Sequence, residues 1–181
     1  MSSSTILLDA CVLINLLASE ELTTILSLSN DEFKICTLVK KESFYLRSDN
    51  TEDQSSTLAN FDSLVQSGLL TICELANEGE EELYVDYSSQ LGDGEAMSIA
   101  IAQSRGYILA TDDRKARRIF LEAVTKPDSL FSTSDLIRSW AESNLIPPDQ
   151  LKIALLNIQH RANFIPRRID PNFQWWIDNC L

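Results

Sequence analysis

Acidic residues recur in this chain beside predicted strands and helix starts, at places where their carboxylates could meet. Asp9 follows an apolar run at 6–8, and the pair Asp112-Asp113 follows another at 107–110. Each run is short and continuous, which is typical of a buried strand in a parallel sheet. Since the carboxyl ends of parallel strands share one edge of the sheet, acids that follow them gather there. The complete candidate set is Asp9, Glu42, Glu95, Asp112 and Asp113.

Each of these acids also has an ordinary structural interpretation when it is taken alone. Asp9 and the Asp112-Asp113 pair stand where an acidic residue caps the helix that follows. Glu95 lies in the first turn of a predicted helix, where a carboxylate complements the helix dipole, and Glu42 could be an exposed helix residue. Adjacent side chains point in different directions, so only one member of the Asp112-Asp113 pair is expected to face a shared site. The prediction of chemistry therefore depends on all these acids together.

Carboxylates that converge at one edge of a sheet require a divalent cation. They repel one another strongly unless a bound cation neutralises them. Oxygen ligands alone favour Mg²⁺ or Mn²⁺ over zinc, which prefers His and Cys. The sequence contains a single histidine, His160, and no glycine-rich phosphate loop. Metal-assisted hydrolysis is the reaction class that this set of residues predicts.

The elements that must position these acids alternate between short apolar runs and amphipathic helices. Strands are predicted at 6–8, 33–37, 69–73 and 107–110. Helical periodicity follows each of them, and this alternation predicts an α/β fold with a mainly parallel sheet. Residues 1–130 are expected to form this domain, and residues 131–181 a helical C-terminal extension packed on it.

The net charge of −12 is unevenly distributed along the chain. Residues 1–100 contain 18 acids and 4 bases, whereas residues 101–181 contain 9 acids and 11 bases. A surface that binds phosphate is therefore expected in the second part of the chain. The basic residues in this part of the chain include Arg114, Lys115, Arg117, Arg118, Arg161, Arg167 and Arg168.

Membrane and secreted classes are not indicated by the composition. No apolar run approaches the roughly 20 residues that span a bilayer. Asp9 interrupts the apolar N-terminal run, which has no basic segment before it, so a signal peptide is not expected. The four cysteines lie far apart without C-x-x-C spacing, which favours reduced residues in a cytoplasmic protein.

Three stretches of the sequence resemble the PIN-domain family. ILLDACVLINLL at 6–17 is similar to the family's opening strand, acid and helix, and VKKESFYL at 39–46 places Glu42 like the family's helix glutamate. GEAMSIAIAQSRGYILATDDRKARR at 94–118 resembles the last acidic pair, especially of bacterial and archaeal PIN proteins of the GEA…TDDRKAR type. The resemblance covers about residues 5–125, and the order and spacing of the three stretches carry it.

The resemblance implies a PIN-like three-layer α/β/α fold and a nuclease that binds one or two Mg²⁺ or Mn²⁺ ions. Its ligands would be Asp9, Glu42, Glu95 and one acid of the following pair. Thr111 and Asp113 match the family's T-x-D pattern, so Asp113 is the first choice for that ligand and Asp112 the second. The residues expected to contact RNA are Thr111, Arg114, Lys115, Arg117 and Arg118.

By the same resemblance, the protein would be an endoribonuclease that acts on RNA, in one version as the toxin of a toxin–antitoxin pair. Its partners would then include a small antitoxin and a second copy in a homodimer. Cys11 departs from the family pattern, because Ser, Asn or Thr is commoner there and a thiol is a poorer hydrogen-bond partner. The alternative is therefore a catalytically weak or inactive PIN-like module that binds RNA or protein.

Overall fold

A computed structural model describes residues 3–40 and 61–181 of the chain, and its centre is a five-stranded sheet. Every strand pairs in parallel with its neighbours, in the order β3-β2-β1-β4-β5. The apolar runs of the sequence form these strands because both faces of the sheet are covered, and Leu7 and Ile35 are fully buried. The strands are β1 (Thr5–Leu8), β2 (Glu32–Cys36), β3 (Leu70–Cys73), β4 (Ile108–Ala110) and β5 (Leu130–Phe131).

Helices cover both faces of this sheet, which confirms the predicted three-layer α/β/α fold. Those with fully described bounds are α1 (Ala10–Ala18), α2 (Leu22–Leu28), α3 (Glu78–Ser88), α4 (Asp93–Arg105), α5 (Arg114–Val124), α6 (Thr133–Ser143), α7 (Pro148–Ala162) and α8 (Phe173–Cys180). Residues 37–40 and 61–66 are also helical. Helix α4 contacts both α3 and α5, while α1 packs against α6 and α7.

Local chemistry explains where several of these helices begin and end. Helix α4 ends at Gly106, whose φ of 66° is the left-handed conformation that glycine adopts without strain. Ser132 and Asp135 form a reciprocal capping box at the start of α6. Pro148 opens α7 at a position where the missing N–H costs nothing. Glycine, serine and proline at these positions are common sequence signals for helix boundaries.

The strand order places a topological switch point between β1 and β4. From β1 the chain moves outward to β2 and β3, and then crosses to β4 and β5 on the other side. Leu8 pairs with Ala110, so Asp9 and Thr111 are the first residues beyond the two central strands. In open α/β sheets this is the place where ligands bind.

The C-terminal helices share the hydrophobic core of the sheet domain. One cluster of buried residues includes Leu8 of β1, Leu155 of α7 and Trp176 of α8. Strand β5 was not predicted, because two residues are too few to show a periodic pattern. The expected division between residues 130 and 131 falls inside this strand, and it remains a prediction.

No single helix in the described part of the chain is long and apolar enough to cross a membrane. Helices α1 and α2 meet the length and composition criteria only as a pair, and they are bent by 108° at their junction.

Candidate functional site

Asp9 lies at the switch point and is almost fully buried, with 2% of its surface exposed. Its Oδ1 accepts the N–H of Ala10 at 2.8 Å, so it caps α1 as the structural interpretation expects. Its Oδ2 accepts the Thr111 hydroxyl at 2.8 Å and the Cys11 thiol at 3.3 Å. Burial raises the pKa of the Asp9 carboxyl above its ordinary value, and the hydrogen bond from Thr111 opposes that rise. A nearby cation would stabilise the ionised form of such a group.

Thr111 joins the ends of the two central strands through its hydroxyl group. Besides donating to Asp9, Oγ1 accepts the backbone N–H of Asp113 at 3.2 Å. The side chain is fully buried. An RNA contact by Thr111 remains a prediction, and its observed role is to hold Asp9 and Asp113 on one scaffold.

Asp112 uses both carboxylate oxygens for packing. Oδ1 accepts the backbone N–H of Thr133 at 3.0 Å, and Oδ2 accepts its hydroxyl at 2.6 Å. Oδ2 also accepts the side-chain amide of Asn15 at 3.0 Å. Burial raises the pKa of Asp112, and the hydrogen bonds from Thr133 oppose that rise. Asp112 therefore ties the end of β4 to α6 and α1.

Asp113 faces a different way and keeps one oxygen available. Its Oδ1 caps α5 by accepting the N–H groups of Lys115 and Ala116, each at 2.8 Å. Within the described residues, no hydrogen bond reaches its Oδ2. Its backbone N–H donates to the Thr111 hydroxyl, which itself donates to Asp9, and its charge is the smallest of the causes that raise the pKa of Asp9. This geometry favours Asp113 over Asp112 as the member of the pair beside Asp9.

Glu95 lies half-buried in the first turn of α4, and its Oε2 accepts the N–H of Gly92 at 3.2 Å. The start of α4 packs against the end of β2, where the Cys36 thiol lies 3.8 Å from the carbonyl oxygen of Gly94. Leu7 pairs with Lys34, and continuing that register brings Asp9 level with Cys36. The first turn of α4 and Asp9 therefore lie at the same edge of the sheet.

Glu42 lies outside the described residues. Within residues 3–40 and 61–181, no group of three or more His, Cys, Asp or Glu side chains is arranged to hold a metal ion. The candidate acids supply carboxylate oxygens, which are the ligands that Mg²⁺ and Mn²⁺ prefer. The described part links Asp9 to the backbone of Asp113 through Thr111, and the ligand set remains a prediction.

Cys11 belongs to the hydrogen-bond network around Asp9. Its sulfur donates to Asp9 and accepts the backbone N–H of Asp112, both at 3.3 Å. Burial raises the pKa of the Cys11 thiol, and the charges of Asp9 and Asp112 raise it further. The group is therefore a neutral thiol, and it lacks the thiolate form that acts as a nucleophile. Its hydrogen bonds position Asp9 and the backbone of Asp112.

The basic residues of α5 divide into a packed one and three exposed ones. Arg117 donates to the carbonyl oxygens of Thr111 at 2.7 Å and Phe131 at 3.0 Å. It therefore links the chain at the ends of β4 and β5. The exposed residues are Arg114, Lys115 and Arg118, which together line a shallow depression. Their contact with RNA, like that of Arg117, remains a prediction.

Two buried polar residues of the site were missed by sequence reasoning. Asn15 is the single polar side chain in the apolar run of α1, and that interruption was a usable signal. Thr133 stands between Ser132 and Ser134 at the start of α6, where the local sequence indicates only a helix cap. Its fully buried hydroxyl binds Asp112, a partner 21 residues away that the local pattern could not reveal.

Comparison with protein families matches residues 5–125 to a model described as a PIN domain. No curated protein matches the chain at a significant level. The matched range includes the sheet up to β4 and all the candidate acids, and it stops before β5 and the C-terminal helices.

Proposed function

This chain belongs to the PIN-domain family, whose members are generally nucleases, and we propose that it is a Mg²⁺- or Mn²⁺-dependent endoribonuclease. The observation that carries the proposal is the buried Asp9 carboxylate at the switch point of the sheet, which the Thr111 hydroxyl links to the backbone of Asp113. Family membership supports a nuclease-type function, and the oxygen donors support a hard divalent cation.

In this proposal Asp9 and Asp113 hold the metal together with Glu42 and Glu95. The ion would activate a water molecule for attack on an RNA phosphodiester and stabilise the leaving 3′ oxygen. Thr111 holds Oδ2 of Asp9 in one orientation, and the cap on α5 does the same for Asp113. Hydrolysis would leave 5′-phosphate and 3′-hydroxyl ends.

The test is cleavage of a labelled, structured RNA with Mg²⁺ or Mn²⁺, compared with EDTA. Asp9→Asn and Asp113→Asn are expected to lower the rate by about a hundredfold or more, because each removes a charged ligand from the proposed centre. Asp178→Asn is the matched control, since it removes an exposed carboxylate on α8. Cleavage that survives EDTA or both site substitutions would refute the proposal.

A catalytically weak RNA-binding module is the second candidate. The thiol of Cys11 favours it, because it occupies the hydrogen-bond shell of Asp9 where a hydroxyl or amide would be a stronger partner. Tight RNA binding without cleavage in either metal would select this function. Cleavage that depends on Asp9 would exclude it.

The toxin role, an antitoxin and a homodimer extend the proposal and depend on the family resemblance, whereas a cytoplasmic location depends on the spacing of the four cysteines. Co-purification with a small protein encoded by a neighbouring gene, together with inhibition of cleavage by that protein, would support the first two. Light scattering on the purified protein would measure the oligomeric state.

A further inference from the structure

A cleft of about 430 Å³ lies between α5 and the segment 163–171, next to the candidate site. Asp112, the chain neighbour of Asp113, forms part of its wall. The segment 163–171 joins α7 to α8 and lies beyond the matched range of 5–125. The cleft is therefore built partly by the PIN domain and partly by the C-terminal extension.

Three arginines line this cleft: Arg114, Arg117 and Arg167. Arg117 is held by two backbone carbonyl oxygens. In the described part of the chain, neither Arg114 nor Arg167 forms an ion pair with a carboxylate, and both are exposed. Cations without a protein partner at a concave surface, in a chain with net charge −12, indicate an anionic ligand.

Two acids also line the cleft, and hydrogen bonds within the protein engage both oxygens of Asp112 and one oxygen of Asp170. Both oxygens of Asp112 accept hydrogen bonds from α1 and α6. Oδ1 of Asp170 accepts the Ser134 hydroxyl at 3.0 Å and the N–H of Asn172 at 2.8 Å. Three arginines face two acids in the lining, so the charge of the cleft favours an anion.

The cleft also has an apolar side. Phe164 is half-buried, and its ring meets the ring of the buried Trp176 edge-on, with centroids 5.8 Å apart. Ile165 and Ile169 expose 51% and 88% of their surfaces beside it. A positively charged groove with aromatic and apolar surface is the usual platform for single-stranded nucleic acid.

We propose that this cleft binds one nucleotide of the RNA strand next to the scissile phosphate. Arg114 and Arg167 contact its phosphate group, and Phe164 and Ile165 contact its sugar and base. RNA is favoured over an acidic peptide because a nucleotide presents both a phosphate for the arginines and a sugar and base for the apolar side of the cleft. The inference rests on the proposed endoribonuclease function and adds to it a substrate subsite formed by the C-terminal extension.

The matched pair Arg167→Ala and Arg168→Ala tests this subsite. Both residues are exposed and adjacent and carry the same charge, but only Arg167 lines the cleft. Binding of a short single-stranded RNA is measured by fluorescence anisotropy in EDTA, so that no cleavage occurs. Arg167→Ala is expected to weaken binding about tenfold and to reduce the slope of log affinity against log salt by about 0.7, the loss of one phosphate contact. Arg168→Ala is expected to change affinity by less than about twofold.

Several outcomes would overturn the subsite. These are equal losses in the two variants, no loss in Arg167→Ala, no RNA binding by the unmodified protein, or equally tight and Arg167-dependent binding of a polyglutamate peptide. Thermal melting of both variants checks that they remain folded. Failure of the proposed function is distinguishable, because Arg167-dependent binding without metal-dependent cleavage would refute the endoribonuclease and retain the subsite. Metal-dependent cleavage together with RNA binding that does not depend on Arg167 would retain the endoribonuclease and refute the subsite.

Discussion

Replacing Thr111 with valine should destabilise the fold because it removes a buried hydroxyl and keeps almost the same shape. The hydroxyl donates to the Asp9 carboxyl at 2.8 Å and accepts the N–H of Asp113 at 3.2 Å. A hydrogen bond to a charged group contributes about 1.5–3 kcal/mol and a neutral one about 1 kcal/mol. Since Thr111 is fully buried, water cannot replace either bond. The expected loss in the free energy of unfolding is about 3 kcal/mol.

Urea denaturation followed by circular dichroism measures this loss, and for a domain of this size it corresponds to about 6–12 °C in melting temperature. Thr111→Ser is the matched control, because it keeps the hydroxyl and loses one buried methyl group, at a cost of about 1 kcal/mol. If the valine variant is as stable as the serine variant, the hydroxyl does not hold the strand ends together. This result would be independent of any enzymatic activity.

Two further perturbations distinguish structural acids from a site acid. Asp112→Asn should lower the free energy of unfolding by about 2–3 kcal/mol, because both oxygens of Asp112 accept buried hydrogen bonds. Asp113→Asn should change it by less than about 0.5 kcal/mol, because asparagine also caps helices. Glu80, which is 1% exposed and accepts two 2.7 Å hydrogen bonds from Arg105, has a pKa below its ordinary value. A lowered folded-state pKa stabilises the protein above the ordinary value of 4.5, and this stabilisation is lost as the pH falls through the folded-state pKa. Glu80→Gln should therefore cost about 2 kcal/mol at pH 7 and less in acid, as measured by urea denaturation across pH.

Each of these has a clear contrary result. Equal stability of the Asp112 and Asp113 variants would show that the two acids are not divided into packing and site roles. A constant difference between Glu80→Gln and the unmodified protein from pH 7 to pH 3 would show that the ion pair does not set the pH dependence.

The local patterns of the sequence were sufficient for most of the fold. Apolar runs identified β1 and β4, and mainly apolar stretches identified β2 and β3. Residues such as Gly106 and Ser132 lie at helix boundaries because capping depends on residues within one or two turns. The stretch at 94–118 supported the family assignment that the comparison confirmed. Strand β5 was missed because its two residues are held by pairing with β4 and carry no pattern of their own.

Only the tertiary structure distinguishes Asp112 from Asp113, by the different partners that it gives their carboxylates. The two residues are chemically identical neighbours, and the T-x-D pattern ranked them by resemblance alone. The Asp112 carboxylate accepts hydrogen bonds from Thr133 and Asn15, which lie on helices 21 and 97 residues away in the chain. The cleft lined by Arg114 and Arg167 also depends on tertiary packing. Helix α7 packs against α1 and leads into the segment 163–171, which lies beside α5. The sequence alone determined which acids and bases exist and which elements carry them, and the packing of distant helices determined which of them remain available for a ligand.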